Sequence, residues 1–296
     1  MQFKLLGQSN LNVSQVAFGC MSLDVSNDNK TLLRSAVDSG INLFDTADLY
    51  DRGQNEVIVG KALRAIRKNI YIATKVGNQW RPDGSGWDWN PTKTYIIKAV
   101  EDSLRRLQTD YIDLYQLHGG TLDDPFEEAL EAFNILKSQG KILNYGISSI
   151  RPNVIDHWVN KSEISSLMLQ YSLLDRRPEE QCLNWAQEKN IGILARGSLA
   201  KGLLTTKLPD SYLNWPDHQV ERLQSALQRS SERSPTHTAL HYVLQHDAVT
   251  TAVVGIRTID QLKQATTIFN SPQLKDKEYQ TLQSILGVNQ YTDHLV

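Results

Sequence analysis

The run ILNYGI, Ile142–Ile147, decides how this chain is expected to fold. It is short and almost continuously apolar, which is typical of a strand buried on both faces in a parallel sheet. Similar runs recur on both sides of it. The predicted strands are Val16–Gly19, Ile41–Phe44, Ile70–Lys75, Ile112–Leu117, Ile142–Ile147, Leu167–Gln170, Ile191–Leu194 and Ala252–Val254.

Amphipathic helical patterns separate these strands. In Thr92–Leu107 and Phe126–Lys137, apolar residues recur every three or four positions, so one stripe of each helix is expected to face a core. The alternation predicts a single (β/α)₈ barrel over residues 1–296, since such barrels usually need about 250 residues. A doubly wound open sheet is the alternative, but no GxGxxG motif follows the first strand.

Three segments are additional to the eight strand–helix units. Phe3–Leu6 and Leu11–Val13 flank the turn Gly7–Asn10 and predict an N-terminal β-hairpin that plugs the bottom of the barrel. Val220–Ser230 and Lys275–Leu286 have helical patterns and are expected to lie outside the ring of barrel helices.

Composition narrows the class of protein. Lys plus Arg number 31 and Asp plus Glu 33, a net charge of −2, so no basic excess points to nucleic acid or an acidic membrane. The N-terminus lacks the apolar segment of a signal peptide, and no run reaches the roughly 18 apolar residues of a membrane span. Cys20 and Cys182 lie far apart and make no CxxC or zinc pattern, which is typical of a protein of the reducing cytosol. We expect a soluble, cytoplasmic protein without a metal.

Four ionisable residues stand at or just after consecutive predicted strand ends: Asp45, Tyr50, Lys75 and His118. Barrel active sites lie at the carboxyl ends of the strands, so these side chains should converge on one rim. Taken singly, each has a structural explanation: a turn former, a packing residue, a surface lysine and a structural histidine. Their joint placement favours a site, because a lysine ending a buried strand is costly unless it is paired, and Asp45 is the evident partner.

This set suits proton transfer at a carbonyl group. A tyrosine phenol has an ordinary pKa of about 10, and a nearby lysine ammonium lowers it by stabilising the phenolate. An aspartate would hold the lysine, and a neutral histidine could orient a substrate oxygen. Reduction would also need a hydride source, so a cofactor is implied.

The same residues lie in motifs by which the chain resembles the aldo-keto reductases. The motifs are Phe44-Asp-Thr-Ala with Tyr50, Gly53–Glu56, Gly60–Leu63, Ala73–Lys75, Asp110–His118, Gly146–Ser149, Leu169–Tyr171, Gly197–Leu203 and Val254–Arg257. The resemblance implies a barrel that reduces an aldehyde or ketone with NADPH. It also implies that Tyr50 is the proton donor, that Lys75 and Asp45 tune it, and that His118 orients the substrate.

The resemblance further implies which residues bind NADP(H). These are Gly19, Cys20, Met21, Asp45, Ser148, Ser149, Gln170, Arg196, Gly197, Ser198, Leu199, Ala200, Lys201, Gly202, Gly255, Arg257 and Gln261. Arg196 is a departure, since many members have an aromatic residue there. A guanidinium suits the ribose phosphate of NADP, so Arg257 predicts a preference for NADPH.

Substrate contacts are expected from Tyr50, His118, Met21, Trp80 and Trp87. The tryptophan-rich loop of residues 79–90 follows Lys75 and is interpreted as an aromatic wall or lid over an apolar substrate, as a rigid surface loop held by its own aromatic residues, or as an interface. The substrate itself is expected to be a small-molecule carbonyl compound. No oligomeric state follows from the sequence.

Two further functions stay open. One is a binding or regulatory module with the same fold and little turnover. The other is a different barrel enzyme, an isomerase or a metal-dependent hydrolase, although no HExxH motif is present.

Overall fold

The computed structural model describes residues 1–24, 29–229 and 232–296, and their strands form a closed parallel barrel. The strands are β1 (Phe3–Leu5), β2 (Asn12–Ser14), β3 (Val16–Gly19), β4 (Leu43–Asp45), β5 (Tyr71–Val76), β6 (Asn78–Trp80), β7 (Trp87–Trp89), β8 (Ile112–Leu117), β9 (Ile142–Ser148), β10 (Ser166–Gln170), β11 (Gly192–Arg196) and β12 (Val249–Gly255). The barrel order is β3-β4-β5-β8-β9-β10-β11-β12, with β12 pairing back to β3. The predicted (β/α)₈ fold is confirmed, and the open sheet is wrong.

Helices follow the barrel strands as the apolar stripes predict. They are α1 (Lys30–Asp38), α2 (Gln54–Leu63), α3 (Lys93–Leu107), α4 (Phe126–Ser138), α5 (Pro152–Lys161), α6 (Cys182–Glu188), α7 (Asp217–Gln228), α8 (Pro235–Leu244), α9 (Ile259–Thr266) and α10 (Asp276–Ile285). Thr92 begins α3 as an N-cap whose hydroxyl accepts a hydrogen bond from the Tyr95 amide. The extra helices α7 and α10 pack against each other. The predicted end of the first of them, Ser230, lies outside the described residues.

The N-terminal hairpin closes the barrel from below. Leu6, Leu11 and Val13 are buried and pack with side chains that fill the barrel interior, namely Ala17, Leu43, Ala73, Leu114, Met168, Leu194 and Val253. Gly7 has φ +54°, and a Cβ there would lie 2.5 Å from the Gly192 amide nitrogen, so the turn requires glycine. The predicted plug is therefore present.

Several strand boundaries differ from the prediction by one to three residues; β12, for example, begins at Val249 rather than Ala252. The second barrel strand begins at Leu43 rather than Ile41, because the Ile41 amide donates to Ala36 at the end of α1 and the Asn42 side chain bonds to β2. The loop of residues 79–90, which the sequence did not predict as strand, contains the antiparallel pair β6 and β7.

Removing part of the plug should destabilise the fold. Leu11→Ala deletes a side chain that is 2% exposed, and such core truncations cost about 2–5 kcal/mol. The midpoint of urea unfolding should fall accordingly. Leu5→Ala, on the same hairpin but 58% exposed, is the matched control and should change the midpoint little. Equal midpoints for the two variants would contradict the plug.

Candidate active site

The carboxyl ends of β4, β5 and β8 bring the four predicted ionisable residues to one rim. Asp45 ends β4 and is in register with Gly19 of β3 and Ala73 of β5. Lys75 lies one residue before the end of β5, and His118 directly follows β8. Tyr50 begins a short turn after β4. The sequence therefore predicted the convergence correctly, because neighbouring parallel strands end at the same edge.

Lys75 is the centre of this group, and its side chain is fully buried. Its Nζ donates to Asp45 Oδ1 at 2.6 Å, to the Thr46 carbonyl oxygen at 2.7 Å and to Tyr50 Oη at 3.5 Å. All three donor directions of the ammonium are thus used. The predicted Lys75–Asp45 pair is present, whereas the Thr46 carbonyl is a partner that the sequence did not reveal.

Tyr50 and His118 face each other beside this ammonium. Their rings meet edge to face, with centroids 5.9 Å apart and an interplanar angle of 82°. His118 Nδ1 is buried and has no hydrogen-bond partner among the described residues. A phenol, an imidazole and an ammonium therefore surround one point at the barrel mouth.

Burial and charge set the protonation of the site. Burial, followed by the charges of Lys75 and Arg196, lowers the pKa of His118 to about 3, so the imidazole is neutral at physiological pH. Burial alone would lower the pKa of Lys75, but Asp45 and Tyr50 together raise it, so the ammonium is retained. Burial raises the pKa of Tyr50, and Lys75 opposes this without overcoming it. From the neighbouring lysine alone, the sequence predicted that the pKa of Tyr50 would fall; in the structure, burial makes it rise instead.

The residues predicted for a cofactor lie along the rest of the same rim. Gly19 and Gly255 are in register at the ends of β3 and β12, and Gln170 and Arg196 are in register at the ends of β10 and β11. Ser148 ends β9, and both its side chain and that of Ser149 are buried. Cys20 is buried in the turn after β3, whereas Met21 beside it is 66% exposed.

The predicted phosphate loop turns sharply after β11. Its left-handed residues are Gly197 (φ +70°), Ala200 (φ +46°), Lys201 (φ +56°) and Gly202 (φ +89°). A Cβ built at Gly197 would meet nothing nearer than Gln170 Cγ at 3.8 Å, so this backbone borders open space. Ser198 and Leu199 lie within the turn, where the Ser198 hydroxyl donates to the Ala195 carbonyl. Such runs of turned backbone form anion-binding concavities.

A second predicted phosphate contact lies at the start of α9. Arg257 and Gln261 are exposed, and the Arg257 amide donates to Gln261 Oε1 at 2.8 Å. Thr258 is the N-cap of the helix, and its hydroxyl accepts from the Gln261 amide. The guanidinium therefore lies beside a helix N-terminus, which itself favours anions.

The tryptophan-rich loop stands at the rim as a hairpin. Trp80 pairs with Trp87 across β6 and β7, and Trp87 is 47% exposed. The Trp80 indole Nε1 donates to the Leu49 carbonyl oxygen at 3.1 Å. The hairpin is thus joined to the turn that carries Tyr50, a contact that the sequence did not reveal.

Asn55 is another supporting residue that the sequence did not reveal. Its fully buried side chain accepts from the Thr46 hydroxyl at 2.7 Å and donates to the Cys20 carbonyl at 2.8 Å. Asn55 therefore links the turn after β3 to Thr46, whose carbonyl oxygen accepts a hydrogen bond from Lys75 Nζ. The only available signal was its position in the quoted Gly53–Glu56 motif.

Among residues 1–24, 29–229 and 232–296, no helix is long and apolar enough to cross a membrane. In the same residues, no cluster of three or more His, Cys, Asp or Glu side chains is arranged to hold a metal ion.

Comparison with known proteins agrees with this geometry. A model described as the Aldo/keto reductase family matches residues 15–287. The holo form of aldo-keto reductase AKR11C1 from Bacillus halodurans superposes with a TM-score of 0.95 at 46% identity, covering 99% of each chain.

Two curated relatives are also similar. "Uncharacterized oxidoreductase YqkF" of Bacillus subtilis is 45% identical over 305 aligned positions, 99% of each chain. "Aldo-keto reductase yakc [NADP(+)]" of Schizosaccharomyces pombe is 32% identical over 216 positions, 69% of this chain and 64% of that one. With the barrel, its rim and nearly the full length of the chain in agreement, this protein belongs to the aldo/keto reductase family.

Proposed function

We propose that this protein reduces aldehyde or ketone carbonyls to alcohols with NADPH, at the rim formed by Asp45, Tyr50, Lys75 and His118. The observation that carries the proposal is the buried Lys75 ammonium, which donates to both Asp45 and Tyr50. Burying a full charge at the barrel mouth is costly. The position of the Lys75 ammonium beside the Tyr50 phenol suits a proton donor whose pKa the ammonium adjusts.

Tyr50 is the proposed general acid. Because burial raises its pKa, the phenol holds its proton at neutral pH and can donate it to the oxygen of a substrate carbonyl. Lys75 then stabilises the phenolate that remains, since its Nζ lies 3.5 Å from the phenol oxygen. Asp45 holds the ammonium in place at 2.6 Å.

His118 is the proposed orienting residue. Its low pKa keeps the imidazole neutral, so one ring nitrogen carries a proton and the other does not. A protonated ring nitrogen can donate to the carbonyl oxygen that Tyr50 protonates. Since its ring meets Tyr50 edge to face, both groups can address the same oxygen.

The rim residues fit a nicotinamide dinucleotide. When bound, it supplies the hydride that the protein's own side chains lack. Ser148, Ser149 and Gln170 offer hydroxyl and amide groups for a carboxamide, and Lys201 and Arg196 offer cations for phosphates. The open, left-handed backbone of residues 197–202 supports the same assignment.

Arg257→Ala should weaken NADPH binding and leave NADH binding almost unchanged. A charge-assisted hydrogen bond contributes about 1.5–3 kcal/mol, equivalent to roughly 10- to 150-fold in affinity for the cofactor that carries the ribose phosphate. Titration of both cofactors by fluorescence measures this. Lys263→Ala removes a cation from α9, the helix that follows Arg257, and should affect the binding of both cofactors little. Equal losses for NADPH and NADH in Arg257→Ala would show that Arg257 does not bind the phosphate.

The substrate is proposed to be a small carbonyl compound that contacts Met21, Trp80 and Trp87 as well as Tyr50 and His118. The exposure of Met21 and Trp87 at the rim supports this. We also propose that residues 1–296 act as one domain, built on the single closed barrel, in the cytoplasm, in keeping with the two buried, free cysteines Cys20 and Cys182.

Consumption of NADPH with a panel of aldehydes and ketones tests the proposed function. Turnover with at least one carbonyl compound is the expected result. Tight binding of NADPH with no consumption across the panel would instead favour a binding or regulatory module.

A further inference from the structure

The hairpin of β6 and β7 contacts the turn that carries Tyr50 at two points. The Trp80 indole donates to the carbonyl of Leu49, the residue directly before Tyr50, at 3.1 Å. The Arg52 guanidinium lies 5.1 Å from the centroid of the Trp80 ring and donates to the Gly84 carbonyl at 2.8 Å. The turn and the hairpin are therefore joined on both sides of Tyr50.

The turn depends on such external support. Asp51 and Arg52 have φ of +48° and +55°, a left-handed conformation that non-glycine residues rarely adopt. Its own backbone bonds are long, at 3.2 Å from the Tyr50 amide to Ala47 and 3.4 Å from the Arg52 amide to Leu49. Because strained conformations persist only where the surroundings hold them, contacts from outside the turn must fix Tyr50.

The hairpin is itself anchored to the turn that carries His118. Asn78 Nδ2 donates to the His118 carbonyl at 3.1 Å, close to where the Asn90 amide closes the base of the hairpin by donating to the Gly77 carbonyl at 2.7 Å. The Trp89 indole donates to Asp124 Oδ1 at 2.7 Å. The hairpin therefore gives the Tyr50 turn a support that is fixed relative to His118.

We propose that Trp80 and Arg52 are positioning residues that hold the Tyr50 turn in the geometry needed for proton donation. This inference rests on the proposed function, in which Tyr50 protonates the carbonyl. In this proposal the indole N–H of Trp80 binds the backbone of the Tyr50 turn, and only the rest of the ring is free to contact a substrate.

Loss of either contact should lower kcat more than it changes KM. Trp80→Phe keeps an aromatic ring but removes the N–H, and the loss of one hydrogen bond corresponds to roughly 3- to 10-fold. Arg52→Ala removes both the ring contact and the bond to Gly84, and a small displacement of the reacting group can cost about 10²-fold. The Kd for NADPH should not change. Arg52→Lys, which keeps a cation over Trp80, should recover part of kcat.

Amide hydrogen exchange provides a readout that does not depend on activity. Exchange in residues 50–53 should accelerate in Trp80→Phe and Arg52→Ala, because opening of the turn becomes easier. Asp88→Asn is the matched control: it breaks the exposed ion pair with Arg81 inside the same hairpin and should change neither kcat nor exchange in residues 50–53.

The outcomes separate the two proposals. Exchange in residues 50–53 that is the same in Trp80→Phe and Arg52→Ala as in the wild type would overturn the positioning role. A rise in carbonyl KM with unchanged kcat would also overturn it, since Trp80 would then act only as a substrate wall. A wild-type protein without reductase activity would refute the proposed function, whereas the exchange measurement would still report on the contact between hairpin and turn.

Discussion

Tyr50→Phe should lower kcat by about 10²–10⁴-fold, the range that a positioned general acid contributes. The substitution removes one oxygen atom and leaves the ring to pack edge to face against His118. The affinity for NADPH should not change, because the phenol acts on the substrate oxygen rather than on the cofactor. Steady-state rates and fluorescence titration measure the two quantities separately.

A second tyrosine serves as the control for this experiment. Tyr71 lies at the start of β5, at the opposite end of the barrel, and Tyr71→Phe should retain wild-type turnover. If Tyr50→Phe also turned over at close to the wild-type rate, Tyr50 would not be the proton donor.

Lys75→Met should abolish most turnover and shift the pH profile. Removing a preorganised charge from an active site costs roughly 10²–10³-fold in kcat. Lys75 lowers the pKa of Tyr50 against the larger effect of burial, so without it that pKa rises further. Because activity is lost as Tyr50 deprotonates, the alkaline limb of the profile should move to higher pH. Measurement of kcat across the alkaline range tests this direction.

The same substitution should also destabilise the fold, because it leaves Asp45 buried without its cation. Breaking a buried ion pair in this way costs about 3–5 kcal/mol. The double variant Lys75→Met with Asp45→Asn removes both charges and should recover stability but not turnover. An unshifted pH profile with good residual activity in Lys75→Met would rule out Lys75 as the residue that tunes Tyr50.

The sequence predicted much of this site because the topology of the fold places it there. Once ILNYGI and the similar runs are interpreted as parallel strands, Asp45, Lys75 and His118 must lie at the same edge of the barrel, because each stands at the carboxyl end of its strand. The apolar stripe in residues 92–107 likewise predicted α3 to within one residue.

What the sequence did not reveal depends on contacts between segments distant in the chain. The hairpin β6–β7 is interrupted by Pro82, Gly84 and Gly86, which are typical of a loop. The bond from Trp80 to Leu49 joins residues 31 apart, and no local pattern encodes it. The net rise in the Tyr50 pKa also required knowledge of its burial, since the sequence indicated only the neighbouring lysine.

We propose that this rim reduces a carbonyl to an alcohol with NADPH as the hydride donor. The most direct test is a single-turnover experiment with NADPH-bound enzyme and the best carbonyl compound of the panel, in which loss of NADPH and formation of alcohol are quantified together. We predict one alcohol formed for each NADPH consumed, at a rate that falls in Tyr50→Phe. Bound NADPH that is never consumed, or that is consumed without formation of alcohol, would contradict the account.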